Sequence, residues 1–355
     1  MPARKIRWGI LGTGRMARDF AAGLRYVGGA ELAAIGSRAA AKSALFARMT
    51  GARRAHGSYE ALVSDPELDV VYVATPHAMH KSHCLLALEA GKAVLCEKPF
   101  TLDAEEAKAV IAVARRRKLF CMEAMWMHFL PGMQKAVELI RTGAIGEARM
   151  LTADFGYPTE FDPQGRSFNA ALGGGALLDR GVYPLALAWR LFGKPDQVNA
   201  MARFAPTGVD EHCAVTIKYP GGQIAVLSAT LTGCAANEAV IIGSEGRITI
   251  HEPFCRPDHL TVSRAPMLTA DERPMAIPGL RDRLRASRLA RRLRRLLPGR
   301  AKDVRVPYLG NGFNYEASEV VRCLAEGLTE SPVWPLDQTA GVMQTLDLVR
   351  SRWSA

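Results

Sequence analysis

Over the first 120 or so residues, short apolar runs alternate with stretches of helical periodicity. Ile6–Leu11, Glu31–Ser37, Asp69–Ala74 and Ala93–Cys96 read as buried strands. Arg15–Leu24, a segment from about Ala39 to Met49, Ser58–Val63, His80–Ala90 and Asp103–Arg117 read as helices. Strands that alternate with helices imply parallel pairing through right-handed crossovers, so residues 1–122 are predicted to form a doubly wound α/β sheet. From about Gly146 the pattern changes. Ala148–Gly156, Val198–Phe204, His212–Tyr219, Gln223–Leu231 and Ala239–Ile250 are β-rich and joined mainly by short turns such as Pro220-Gly221-Gly222. Consecutive strands without intervening helices predict an antiparallel sheet. One helix, Ala176–Leu191, enters through Gly173-Gly174-Gly175, and another, Tyr315–Glu326, follows near the end. Residues 123–355 are therefore predicted to form an α+β domain.

Composition narrows the class. A chain of 355 residues that is 48% hydrophobic suits two packed domains, and no stretch has the apolar length of a membrane span. The net charge of +11 is local: Arg281 to Arg305 holds eleven Lys and Arg against two Asp, which leaves the rest nearly neutral. Within residues 281–299, Ala286, Leu289, Ala290, Leu293, Leu296 and Leu297 recur at helical spacing among arginines, and Pro298-Gly299 closes the run. Such a basic amphipathic helix either meets an anionic membrane surface or acidic partner, or docks its leucines on its own domain. No specific nucleic-acid partner is expected. The seven cysteines are odd in number and never spaced as C-x-x-C, and the N-terminus lacks a secretory layout, so a cytoplasmic protein with reduced thiols is expected, with peripheral membrane contact left open.

The candidate chemistry starts at Gly9-Ile10-Leu11-Gly12-Thr13-Gly14-Arg15-Met16-Ala17, a G-x-G-x-x-A string between a strand and a helix. Its glycines permit a tight turn and close approach of a pyrophosphate to the helix N-terminus. The second strand ends in Ser37-Arg38 where an acid usually grips a ribose hydroxyl, which suits a 2′-phosphate and favours NADP, with NAD still possible. Thr75-Pro76-His77 and His80 end a strand at the sheet edge where such folds bind ligands. His77, His80 and His83 are spaced by three, yet no acid or thiol clusters with them in sequence, so no metal site is expected. Glu97-Lys98 follows a buried strand, and Asp179 and Tyr183 stand four apart on one helix face. Spacing alone leaves these as either surface contacts or chemistry.

Taken together, the glycine turn, Thr75-Pro76-His77, Glu97-Lys98-Pro99, Glu123-Ala124-Met125-Trp126, the triple-glycine helix with Asp179 and Tyr183, Tyr315-Glu316-Ala317 and Glu330-Ser331-Pro332 resemble the Gfo/Idh/MocA oxidoreductases. The similarity spans nearly the whole chain and is strongest to the branch of NADP-dependent trans-dihydrodiol and D-xylose dehydrogenases. The resemblance implies a Rossmann domain, then a domain with a large open antiparallel sheet that carries substrate residues and commonly forms the subunit interface of a dimer or tetramer. It also implies Lys98, Asp179 and Tyr183 as catalytic residues. A tyrosine of ordinary pKa near 10 is a poor base at neutral pH unless a cation such as Lys98 supports its phenolate. Trp126 and Phe155 are expected as apolar walls for a ring-shaped substrate. Arg180 and His128 depart from the branch's pattern near the expected pocket, which points either to a phosphorylated or acidic substrate or to substituted supporting residues. The expected function is transfer of a hydride between a nicotinamide and a cyclic polyol, aldose or trans-dihydrodiol. A keto-sugar reductase and a non-catalytic nucleotide-binding regulator are the alternatives.

Overall fold

The structure, a computed structural model, describes residues 5–264 and 301–353. The basic segment 281–299 lies outside the described residues. Six strands form the first sheet: β1 (Ile6–Leu11), β2 (Ala30–Gly36), β3 (Arg54–His56), β4 (Val70–Val73), β5 (Ala93–Glu97) and β6 (Cys121–Ala124). Their order is β3-β2-β1-β4-β5-β6 and every pairing is parallel, so the doubly wound expectation holds. The strands cover both faces with apolar side chains, and all residues of β4 and β5 are buried. Helices α1 (Arg15–Leu24), α2 (Ala40–Thr50), α3 (Tyr59–Val63), α4 (His80–Glu89) and α5 (Ala104–Arg117) make the crossovers. Asp103 caps α5 by accepting from the Glu106 N–H at 2.8 Å, and three arginines in its last turn complement its dipole.

Helix α6 (Pro131–Arg141) leads to the second sheet. The latter comprises β7 (Ala148–Gly156), β8 (Gln197–Phe204), β9 (Asp210–Lys218), β10 (Ile224–Thr230), β11 (Ala239–Gly243), β12 (Gly246–Ile250), β13 (His259–Arg264) and β14 (Ala301–Arg305). Their order is β14-β13-β12-β11-β7-β10-β9-β8. The sheet is largely antiparallel, but β7 and β10 run parallel, because a helix and the β8–β9 hairpin intervene between them in the chain. The run Ala239–Ile250 is two strands, not one, since Ser244-Glu245 folds it into a hairpin. Along β9 and β10 buried residues alternate with exposed ones, so one face packs inward and the other is uncovered. On the inner face lies α7 (Val182–Phe192), preceded by a π-helical turn, Leu177–Gly181, where a single regular helix was expected.

The chain then returns to the first sheet through α8 (Phe313–Ala325) and α9 (Leu336–Ser351), which pack on α1 and α5. Buried Glu123, in β6, accepts from Trp334 Nε1 at 3.0 Å, Thr339 Oγ1 at 2.9 Å and the Phe100 N–H at 3.2 Å. One carboxylate thus ties the turn after β5 to the C-terminal segment. Among the described residues no helix is long and apolar enough to cross a membrane. All seven cysteines are free; six are buried and Cys234 is exposed.

Candidate active site

The glycine turn folds at the C-terminal edge of the first sheet. Gly12 has φ +118° and donates its N–H to Gly36 O at 3.0 Å; a Cβ there would sit 2.6 Å from Ala74 O. Only glycine fits. Gly14 begins α1, and no heavy atom lies within 4 Å of where its Cβ would be, so the floor before the helix is open. The first-turn N–H groups of α1 face that opening without an acidic residue to compete. These features fit the pyrophosphate of a dinucleotide.

Two cavities of about 300 Å³ share Gly14, Ala74, Thr75 and Pro76, and together form one groove along the sheet edge. At one end lie Gly12, Thr13, Ser37, Arg38, Lys42 and Tyr59. Lys42, in the first turn of α2, is a cation the sequence reading missed; the fold sets it beside Arg38, which precedes the helix, on the same cavity wall. The first turn of α2 carries no acid, which leaves this end positively charged. Gly9 lines neither cavity; a Cβ there would strike Leu68 Cδ1 at 2.7 Å, so it serves packing.

At the other end lie Arg15, Met16, His77, His80, Glu97, Lys98, Arg166 and Asp179. Lys98 Nζ donates to Asp179 O at 2.6 Å and lies 3.4 Å from Asp179 Oδ1. Arg166 Nη1 donates to Asp179 Oδ1 at 2.8 Å, and Arg166 Nη2 lies 3.4 Å from Oδ2. Burial acts to raise the Asp179 carboxyl, but the Lys98 and Arg166 charges overcome it and hold the group well below the usual carboxylate range. Asp179 is therefore an anion. Its backbone is set by the triple glycine: Gly175, at φ +117°, lets Asp210 Oδ1 come to within 2.2 Å of where a Cβ would be. Asp210 then accepts from the Leu177 N–H at 2.6 Å and caps the turn that carries Asp179.

Lys98 Nζ also stands 4.7 Å from the centre of the Tyr183 ring. Tyr183 lies behind Lys98 and is not on the cavity wall itself; its oxygen accepts from Trp126 Nε1 at 3.1 Å. Burial, then the nearby Cys255 and Glu97, raise its phenol well above 10, against the Trp126 hydrogen bond. Trp126 stacks on Phe313 at 4.9 Å, and Phe155 meets Tyr183 edge-on at 5.3 Å. The structure thus brings Lys98, Asp179, Tyr183, Trp126 and Phe155 into one neighbourhood.

His77 and His80 hold the edge together. His77 Nδ1 donates to Gly173 O at 2.9 Å, which leaves Nε2 to accept from Arg166 Nη1 at 3.2 Å. Burial pushes His77 down to about 3, so the ring is neutral. His80 is wedged between Thr75 O and Pro99 O, at 2.9 and 2.8 Å, and His83 Nδ1 pairs with Thr75 Oγ1 at 2.9 Å. Glu97 is buried, bonded by Tyr72 Oη and the Lys98 N–H, and burial raises its carboxyl.

Two expected substrate residues are placed otherwise. His128 is fully buried, its ring 4.0 Å from that of Trp334, and burial drives its pKa well below 6.5; it faces the C-terminal segment and not the cleft. Arg180 lies beside Asp179, but its guanidinium is engaged by Tyr157 O, Thr230 O and Thr159 Oγ1. It fastens a loop to β10. The guanidinium that hydrogen-bonds to Asp179 in the cleft is that of Arg166, a residue the sequence reading missed. No pattern marks it, because it lies in the irregular loop after β7 and meets Asp179 only through the fold.

A doubly wound sheet with an open glycine turn, and a lysine and carboxylate at its edge, defines a dinucleotide-dependent enzyme. Residues 6–125 match the oxidoreductase family with the NAD-binding Rossmann fold, Gfo/Idh/MocA, and residues 133–249 match the C-terminal domain of that family. The trans-1,2-dihydrobenzene-1,2-diol dehydrogenase of Mus musculus is 33% identical over 357 residues, covering 97% of this chain and 96% of its own. The Homo sapiens enzyme of the same name is 33% identical over 349 residues, with the same coverage. Among solved structures, the 3-ketoreductase KijD10 of Actinomadura kijaniata in complex with NADP and TDP-benzene has a TM-score of 0.81 at 26% identity, covering 99% of this chain and 98% of its own. An aldose-aldose oxidoreductase from Caulobacter crescentus shares the fold at a TM-score of 0.81 and 23% identity, covering 98% and 97%. The chain belongs to the Gfo/Idh/MocA oxidoreductase family and is an NAD(P)-dependent dehydrogenase acting on CH–OH.

Proposed function

We propose that this enzyme prefers NADP and interconverts a hydroxyl and a carbonyl on a cyclic polyol, aldose or trans-dihydrodiol. The carrying observation is the convergence of Lys98, which follows β5, with Asp179 and Tyr183 of the helical segment on the second sheet: Lys98 and Asp179 line one end of the groove and Tyr183 lies directly behind Lys98. The names of the relatives, dihydrodiol dehydrogenases and a 3-ketoreductase, support the substrate class.

The nicotinamide, when bound, supplies or accepts the hydride. The protein's task is the proton. In the direction of reduction, the proton for the carbonyl oxygen originates on Tyr183, a neutral phenol by virtue of its burial, and reaches the cavity by way of the Lys98 ammonium, which gives one proton to the oxygen and regains one from the phenol. Lys98 holds that oxygen from the cavity wall and, 4.7 Å from the ring centre, stabilises the phenolate left behind. Asp179 fixes the Lys98 ammonium and accepts from a substrate hydroxyl. Oxidation retraces these steps. A protonated phenol suits the reductase direction, and the dehydrogenase direction needs the phenolate that Lys98 supports, whereas a nucleotide-sensing regulator has no use for lysine, carboxylate and phenol together.

A panel of sugars, inositols, dihydrodiols and keto-sugars followed by NADPH absorbance tests the reading. Turnover of at least one class is expected, with kcat/KM for NADP+ above that for NAD+. Arg38→Ala with Lys42→Ala is expected to remove that preference by raising KM for NADP+ roughly tenfold or more, as loss of charged hydrogen bonds to a phosphate predicts. A wild-type enzyme indifferent to the 2′-phosphate overturns the NADP assignment. The same reading gives the uncovered face of the second sheet, where Met201, Ile224, Val226 and Ile242 are exposed, to a second copy of the chain. Light scattering is expected to show a dimer or tetramer, and a monomer at micromolar concentration rejects that assignment.

A further inference from the structure

Arg166 has two working edges, and the fold uses only one. Its end-on edge, Nη1 and Nη2, spans the two oxygens of Asp179, and the second Nη1 hydrogen meets His77 Nε2. A guanidinium carries five N–H groups in a rigid plane. Three are thereby assigned, and the Nε–H and the remaining Nη2–H, which together form the side-on fork, have no hydrogen-bond partner among the described residues. The side chain is 47% exposed and lines the cavity with Lys98 and Asp179, so the free fork is available to a molecule bound there. His77 and Asp179 fix the plane of the guanidinium from two sides. Pre-orientation of this kind lets a fork select a ligand instead of adapting to it.

Lys98 and Tyr183 account for one substrate oxygen, the reacting one. A planar fork close to Lys98, across a shared carboxylate, suits an oxygen on the neighbouring carbon. We propose that Arg166 is a specificity-determining residue that donates through its side-on edge to the oxygen adjacent to the reacting centre, so that the substrate must be a vicinal diol or an α-hydroxycarbonyl. This rests on the cleft being the substrate site, and it goes beyond that reading by stating which second oxygen is required and which residue reads it. Simple secondary alcohols would satisfy Lys98 and Tyr183 but leave the Arg166 fork without an acceptor.

The test compares trans-cyclohexane-1,2-diol with cyclohexanol, using calorimetric Kd on the NADP+-saturated enzyme and kcat/KM for NADPH formation. Wild-type protein is expected to favour the diol roughly 10- to 100-fold, the range for hydrogen bonds from a charged donor. Arg166→Met and Arg166→Lys are both expected to narrow the ratio to within about threefold, since neither offers a planar fork. NADP+ binding is measured in each variant and both compounds are compared at saturating NADP+, so that any change in cofactor affinity is separated from the diol preference. A wild-type Kd ratio near unity, absence of binding by either compound, or a preference that survives in both variants overturns the proposal. The Kd ratio decides the role of Arg166 even if the substrate panel gives no turnover, an outcome that would count against the proposed reaction alone.

Discussion

Tyr183→Phe is expected to lower kcat by about a hundredfold or more, the usual scale for losing a positioned proton donor. The substitution removes one oxygen and leaves the ring, so the edge-on contact with Phe155 and the packing under Lys98 persist. The vacated hydrogen bond from Trp126 Nε1 is the only described structural loss, worth about 1 kcal/mol in stability. Binding of NADP+ should not change, because Tyr183 does not line the groove. Measured kcat, KM and NADP+ Kd on purified protein separate these effects. A kcat within a few-fold of wild type would assign the proton to another group, with Lys98 the first candidate because it faces the cavity.

Lys98→Met is expected to have an effect at least as large, on the order of a hundredfold or more in kcat, and to change the response to acid as well. Lys98 and Asp179 have side chains only 12% and 11% exposed, so the pair sits in a poorly hydrated site. Removing one partner of such a pair outright costs about 3–5 kcal/mol, and less is expected here because Arg166 keeps Asp179 partnered. The Asp179 carboxyl is held far below its unfolded value near 3.9 by Lys98 first and then Arg166. A depressed carboxyl contributes stability that is present above the unfolded pKa and is lost as pH falls through the folded one. In wild type that contribution is complete above about pH 4 and declines only below it. Without Lys98 the folded pKa rises toward the unfolded one, so the contribution shrinks and the acid-induced fall in Tm attributable to Asp179 flattens. Thermal melts from pH 3 to 7 on both proteins check this. Parallel Tm profiles would show that Lys98 does not set the charge of Asp179.

Both expectations depend on a cluster whose members were named from the chain, though its wiring was not. Lys98 and Tyr183 were expected to meet, and they do, but through the ring face: the ammonium hydrogen-bonds to Asp179 and not to the phenol. Local rules also misassigned two neighbours. Arg180 and Asp179 are adjacent in sequence, yet the π-helical turn sends the Arg180 guanidinium away to Tyr157, Thr230 and Thr159. His128, two residues after Trp126, turns onto Trp334 instead.

What the amino-acid order determined alone is what short-range physics encodes. Alternating apolar runs and helical stretches implied the parallel sheet, period-two strands implied the second sheet, and the glycines before α1 implied a turn open to a phosphate. Each depends on residues within one or two turns of each other. Tertiary structure decided the rest. Strands β13 and β14 and helices α6 and α9 went unread because their apolar residues acquire meaning only against partners distant in sequence. The parallel pairing of β7 with β10 follows from the path of the intervening chain, not from either strand. Arg166 reaches Asp179 by a loop of no regular pattern, and Asp210 caps the Asp179 turn from another strand. The charge of a buried carboxylate depends on which cations come within a few ångströms, and that distance is set by the folded chain, not by spacing along it.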